Sequence, residues 1–141
     1  MKILIYTQYF QPETNAAANR TSDIAEFLSK NNQVTVLTGF PNHPLGKKIG
    51  NYKIKWLKLE KRENYNIYRS FLIIPTKTDN KIYRYFNYFS FAFSSFINLF
   101  FIQKPDVLLV SSPPISILIL AFIYAKIKKV KLIIDLRDLW P

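Results

Sequence analysis

The sequence predicts an α/β fold in which a parallel sheet is flanked by helices. Three observations carry that expectation. Short apolar, β-branched runs recur along the chain, segments of helical period separate them, and the unusual polar, proline-rich segments fall just after the strand candidates. The 141 residues suit one domain, and the 49% hydrophobic content is enough for a packed core.

The elements follow in order. Residues 2–6 are short and apolar and read as a buried strand. Gln11-Pro12-Glu13-Thr14-Asn15 breaks the pattern, and from Ala16 to Lys30 the period becomes helical, with Ala17, Ile24, Ala25, Phe27 and Leu28 near one face. Asn31-Asn32 ends that helix, and residues 34–38 form the second strand. A strand, a helix and a strand within about 38 residues make a βαβ unit with parallel strands, as in doubly wound Rossmann-type sheets.

Residues 39–52 hold all three glycines and the Pro41-Asn42-His43-Pro44 turn, so they form a loop. Weak alternation over 53–72 predicts two short strands. A long helix is expected over 80–103, stopped by Pro105. Strand 106–110 ends at Ser111-Ser112-Pro113-Pro114. The apolar run from Ile115 reads as a buried helix reaching Lys129, and 132–135 is the last strand.

In an open parallel sheet, ligands bind outside the carboxyl ends of the strands. Four loops leave those ends: 7–15, 39–46, 111–114 and 136–141. The first precedes a helix start, whose free N–H groups suit a phosphate or sugar hydroxyls, through Thr14 and Asn15; either residue equally reads as a helix cap. No G-x-G-x-x-G is present. The second contributes Asn42 and the sole histidine, His43, held between two prolines and able to act as acid, base or donor, or to be an exposed turn residue.

The third loop offers the hydroxyls of Ser111 and Ser112 beside a helix with proline at its first position, a pattern that capping also explains. The fourth is the richest. Asp135 and Asp138 could deprotonate a hydroxyl, and Arg137 could hold a phosphate, or an Arg–Asp ion pair could simply fix the turn. With no cysteine and one histidine, no metal centre or disulfide is expected.

The net charge is +11, which calls for an anionic partner: nucleic acid, a phosphorylated substrate or an acidic membrane. No nucleic-acid module is recognised, and nucleic acid is not expected. From Tyr85 to Gln103 there is no charge, yet Asn87, Ser90, Ser94, Ser95 and Asn98 interrupt the run, and it is rich in Tyr and Phe. That composition, flanked by Lys77, Lys81, Arg84 and Lys104, suits docking on an anionic membrane surface better than crossing it; the alternative is a purely core helix packed on the sheet. The N-terminus lacks the long apolar region of a signal peptide. The expected location is cytoplasmic, peripheral on the inner membrane face.

Five segments in order resemble family 4 glycosyltransferases. They are Gln8-Tyr9-Phe10-Gln11-Pro12-Glu13, Thr38-Gly39-Phe40-Pro41-Asn42-His43-Pro44, Pro105-Asp106-Val107, Ser111-Ser112-Pro113-Pro114 and Arg137-Asp138-Leu139-Trp140-Pro141. The chain is most similar to the amino-sugar (fucosamine-type) transferases of bacterial O-antigen and capsule synthesis. The resemblance implies a GT-B architecture of two Rossmann-like domains, the first binding the acceptor and the second the nucleotide-sugar through a glutamate motif.

Residues 1–141 match the first domain, so the chain is expected to be the acceptor-side half of such an enzyme. The alternative is a non-catalytic fragment or split subunit that docks a separate donor domain at the membrane. The implied acceptor is a polyprenyl-diphosphate-linked glycan, and no cofactor beyond the nucleotide-sugar substrate is implied. Many relatives carry a histidine after the strand at 132–135. Here Arg137-Asp138 stands there, which makes Asp138 the candidate general base or acceptor-orienting group and Arg137 the phosphate contact. With His43, these join Thr14, Asn15, Asn42, Ser111 and Ser112 as candidate site residues.

Overall fold

The computed structural model describes residues 1–43, 50–74 and 81–137. The chain order is β1 (Lys2–Tyr6), α1 (Ala16–Ser29), β2 (Gln33–Gly39), β3 (Leu57–Lys61), β4 (Tyr65–Ser70), α2 (Lys81–Leu99), β5 (Val107–Ser111), α3 (Ile115–Lys128) and β6 (Lys131–Asp135). The strands form one six-stranded sheet in the order β3-β4-β2-β1-β5-β6. All neighbours are parallel except the β3–β4 hairpin pair. The α/β fold is Rossmann-like, as the sequence predicts.

Side-chain alternation along the strands builds two cores. On one face Ile3, Ile5, Val34, Val36 and Ile67 pack with Phe10 and with Ala25 of α1. On the other, Leu4, Tyr6, Leu37, Leu108 and Val110 pack beneath α2 and α3 through Phe91, Leu99, Ile117 and Tyr124. Both faces of the central strands are therefore covered, which is why those strands read as unbroken apolar runs rather than alternating ones.

Three helical expectations are corrected. In α1 the expected Ile24, Ala25 and Leu28 do pack on the core, joined by the buried Ala18, Thr21 and Ser22, whereas Phe27 is 71% exposed. Phe27 lies on the side of the helix turned away from the sheet. α2 ends at Leu99, short of 103, because the chain tightens there: Phe100 N–H and Phe101 N–H donate to carbonyls three residues back. The Ile115–Lys128 helix is not buried all round. Ile115, Ile119, Phe122 and Ile127 lie on an open face.

The sheet-facing side of α2 mixes polar residues with Phe91, Ala92 and Leu99. Its buried residues include Asn87, Ser94, Ser95 and Asn98. They serve the segment that leaves β4, whose backbone polar groups have no ladder partner and must be paired when buried. Asn87 Nδ2 donates to Ile73 O at 2.7 Å, Ser90 Oγ accepts from Ile73 N at 2.9 Å, and Ser94 Oγ donates to Phe71 O. Asn98 Nδ2 donates to Trp56 O at 3.2 Å and to Ser70 Oγ at 2.8 Å. Ser95 Oγ meets the Tyr6 hydroxyl at 2.6 Å under the sheet. Burial pushes the Tyr6 hydroxyl well above the ordinary tyrosine range, against the opposing pull of Ser95.

No helix among the described residues is long and apolar enough to cross a membrane.

Candidate functional site

The strand order reverses between β1 and β5. β1 is followed by α1 on one face and β5 by α3 on the other. Their loops part at this point and leave a crevice at the carboxyl edge. Two carboxylates organise the loops around it.

Glu13 is the first, and it is 1% exposed. Its Oε1 accepts from Asn42 N at 2.9 Å and His43 N at 2.8 Å, and its Oε2 accepts from Phe10 N at 3.2 Å. One side chain thus ties the loop after β1 to the loop after β2. Burial raises its pKa above the ordinary carboxylate value, while the three N–H donors and the nearby Arg69 charge pull the other way.

Arg69 on β4 is fully buried beneath this clamp. It donates through Nη1 to Gly39 O at 3.1 Å and through Nη2 to Gln11 O. Its Nε lies 3.0 Å from Glu60 Oε2 in an ion pair that lacks hydrogen-bond alignment. Gln8 completes the arrangement. Its carbonyl accepts from Gly39 N at 3.2 Å and Thr38 Oγ at 3.1 Å, and its Nε2 donates to Asn87 Oδ1 at 2.7 Å. Gly39 permits this approach, since a Cβ there would lie 3.2 Å from Gln8 O and 2.5 Å from Leu72 Cδ2.

Asp135, at the end of β6, is the second organiser. Its Oδ1 accepts from Arg20 Nη2 at 2.9 Å, and its Oδ2 accepts from Ser111 Oγ at 3.1 Å and Arg137 Nε at 3.4 Å. Its carbonyl accepts from Ser112 N at 3.1 Å. Two guanidiniums against one carboxylate leave this corner positive, and Arg137 Nη2 is buried with no hydrogen-bond partner among the described residues.

The candidate residues therefore take distinct positions. Asn15 caps α1, its Oδ1 accepting from Ala18 N at 2.7 Å. Thr14 is exposed beside it, and its carbonyl accepts from Asn19 Nδ2. Asn42 is wholly buried, with Nδ2 on Phe40 O at 2.9 Å, so its side chain fixes the turn. His43 is exposed, its backbone held by Glu13 and its ring edge-on to Tyr9 at 6.0 Å. The Tyr9 hydroxyl is pushed far upward by burial, then by the neighbouring Tyr88 and by Glu13, with Arg84 opposing.

Ser111 is spent on Asp135 and does not cap α3. Pro114 stands at the N-cap, one place earlier than expected, with no side-chain cap bond. Arg137 forms the turn-fixing ion pair with Asp135. Asp138 lies outside the described residues. The structure thus brings Ser111, Ser112 and Arg137 together at one corner, and Asn42 and His43 at the other. Among the described residues no group of three or more His, Asp or Glu side chains converges as a metal site would need.

Glu13, Arg69, Arg20 and Asn87 are the organisers that sequence reasoning missed. Arg69 had a signal. It shares strand parity with the buried Tyr65 and Ile67, so alternation places it inside. Glu13 had a weaker one, as a lone acid in a loop bordered by aromatic and proline residues.

No family model matches the chain, and no curated protein matches it. Among solved structures it is similar to the C-terminal domain of a hydrogenase from Pyrococcus furiosus, with a TM-score of 0.56 and 16% sequence identity, covering 95% of this chain and 89% of that one. At that identity the likeness concerns the fold: a six-stranded, mostly parallel Rossmann-like sheet flanked by helices.

Proposed function

We propose that this chain is the acceptor-side half of a nucleotide-sugar-dependent glycosyltransferase, acting on a lipid-linked acceptor at the cytoplasmic face of a bacterial membrane. One observation supports this reading above the others. The crevice at the β1–β5 switch point is bordered by loops that Glu13 and Asp135 lock in pairs, with a positive Arg20–Arg137 corner on one side and an exposed, backbone-held His43 on the other. Rigidly held loops around a cationic corner suit an acceptor with a phosphate beside its reacting hydroxyl.

In such a transfer the acceptor oxygen forms a bond to the anomeric carbon as the bond to the nucleotide diphosphate breaks, and a base takes the acceptor proton. Arg137, whose Nη2 has no partner among the described residues, would hold the acceptor phosphate, and the exposed His43 would exchange a proton or hydrogen bond with it. Asp138 keeps its role as base or orienting group from the motif it shares with the family resembled.

The test is calorimetric titration of the chain with a short-chain polyprenyl-diphosphate-linked sugar. Saturable binding is expected, weakened roughly tenfold or more by Arg137→Ala, since a charge-assisted bond to phosphate is lost. Equal binding by the variant, or none by the parent, overturns the reading.

A further inference from the structure

The outward faces of α2 and α3 carry more than the contact assigned to the aromatic helix alone. Because α2 spends its Asn and Ser side chains on the sheet side, its open face is left to Tyr85, Phe86, Phe89 and Phe93. α3 adds Ile115, Ile119, Phe122, Ile123 and Ile127, each at least 40% exposed. A helix packed on a sheet in water ordinarily turns charged residues outward, and a contiguous apolar face of this kind marks a contact.

Charge frames the face at both ends. Lys81 and Arg84 stand at the start of α2, and Lys104, Lys126, Lys128, Lys129 and Lys131 at the far end. Between residues 81 and 134 the one acid is Asp106, which accepts the Lys2 backbone N–H. The lysines lie along the aromatic rings, with Lys126 Nζ over Phe122 at 5.0 Å and Lys128 Nζ over Phe100 at 5.3 Å. Stems on apolar surface with ammonium groups at the rim are the arrangement of side chains that reach up to lipid headgroups.

The seam between the helices adds a second observation. A cavity of about 310 Å³ runs between them, lined by Phe89, Phe93, Phe96, Ile119 and Leu120. It shares Phe89 and Ser116 with a cavity of about 460 Å³ beside Tyr85, Tyr88, Ser112 and Pro113. That second cavity lies at the N-terminal ends of both helices, on the same edge of the sheet as the β1–β5 crevice. The two cavities thus adjoin at Phe89 and Ser116, and the second borders Ser112 of the proposed acceptor site.

We propose that the α2–α3 face beds into an anionic bilayer and that the seam receives one hydrocarbon chain of a phosphate-headed lipid, with its head beside Ser112. The aromatic face framed by lysines fits lipid, whose headgroups are anionic and whose chains are apolar. The position of the head rests on the acceptor reading above; the bilayer contact and the filled seam do not.

The experiment is co-sedimentation of the intact chain with phosphatidylcholine vesicles, with and without phosphatidylglycerol. Binding is expected only with the anionic lipid. Phe89→Glu on α2 and Ile119→Glu on α3 should each weaken it by about tenfold or more, while Phe27→Glu, on the exposed side of α1, leaves it unchanged. All three positions are exposed, so circular dichroism melts should show folded variants.

For the seam, dodecyl phosphate is titrated below its micelle concentration. Saturable binding is expected, with Ser116→Trp plugging the seam and weakening it by about tenfold or more. Four results overturn the proposal: vesicle binding by Ile119→Glu equal to the parent's, equal loss in Phe27→Glu, dodecyl phosphate binding unchanged by the plug, or a lipid-free dimer that these variants dissociate. None involves sugar transfer, so failure here leaves the enzymatic reading to its own test.

Discussion

Glu13 shows how one buried carboxylate sets both structure and pH response. Its folded pKa lies above the ordinary value of 4.5, so the folded protein holds this proton more tightly than the unfolded chain does. The sign follows directly: the contribution to stability is largest below the unfolded pKa and is lost as pH rises through the raised folded value. In Glu13→Gln that slope, which runs from the ordinary carboxylate value of 4.5 up to the raised folded value, should vanish from urea-unfolding curves, compared with the parent. The variant should also lose about 1–3 kcal/mol at neutral pH, because the amide oxygen can replace Oε1 toward Asn42 N and His43 N while the NH₂ cannot accept from Phe10 N. Arg69→Met should cost about 3–5 kcal/mol in the same measurement, since it strands Gly39 O, Gln11 O and Glu60 around an apolar side chain.

Among the elements, α3 carries a local cost. Lys129 terminates it in the left-handed region, at φ 52°, a conformation that glycine adopts without penalty. Lys129→Gly should therefore stabilise by roughly 1 kcal/mol and raise the melting temperature by about 3–4 °C in a calorimetric scan. The elements themselves were legible because strand-length apolar runs and helical periods alternate cleanly, and β1, β2, β5 and β6 fall within a residue or two of where periodicity places them. The burial of polar residues in α2 was not legible. A period of 3.6 does not tell that Asn87, Ser90 and Ser94 turn toward the sheet beside Phe91, and here the backbone beyond β4 draws them in. The clamps at the site were hidden for a related reason. Glu13 reaches across 30 positions to His43, and Asp135 across 115 to Arg20, separations at which local pattern carries no information.

At the scale of the whole molecule, 20 basic residues against nine acidic ones repel one another in the compact state. Raising the salt from a few millimolar to about 0.15 M should increase the melting temperature in differential scanning fluorimetry, because exposed charges are then screened beyond about 8 Å. A fall with added salt would show that attractive pairs such as Arg20–Asp135 outweigh the repulsion.

The two rims of the sheet differ in a way that governs growth. At one, β3 reads Leu57-Lys58-Leu59-Glu60-Lys61, antiparallel and studded with charge, the pattern that discourages another strand from adding. At the other, β6 is paired among the described residues only with β5, and Ile133, Ile134 and Leu136 stand open beside its outer line of backbone groups. Strand addition is thus polar, like a filament with one blunt end and one live end. Any extension of this sheet, by further polypeptide or by a second molecule, has one rim on which to proceed.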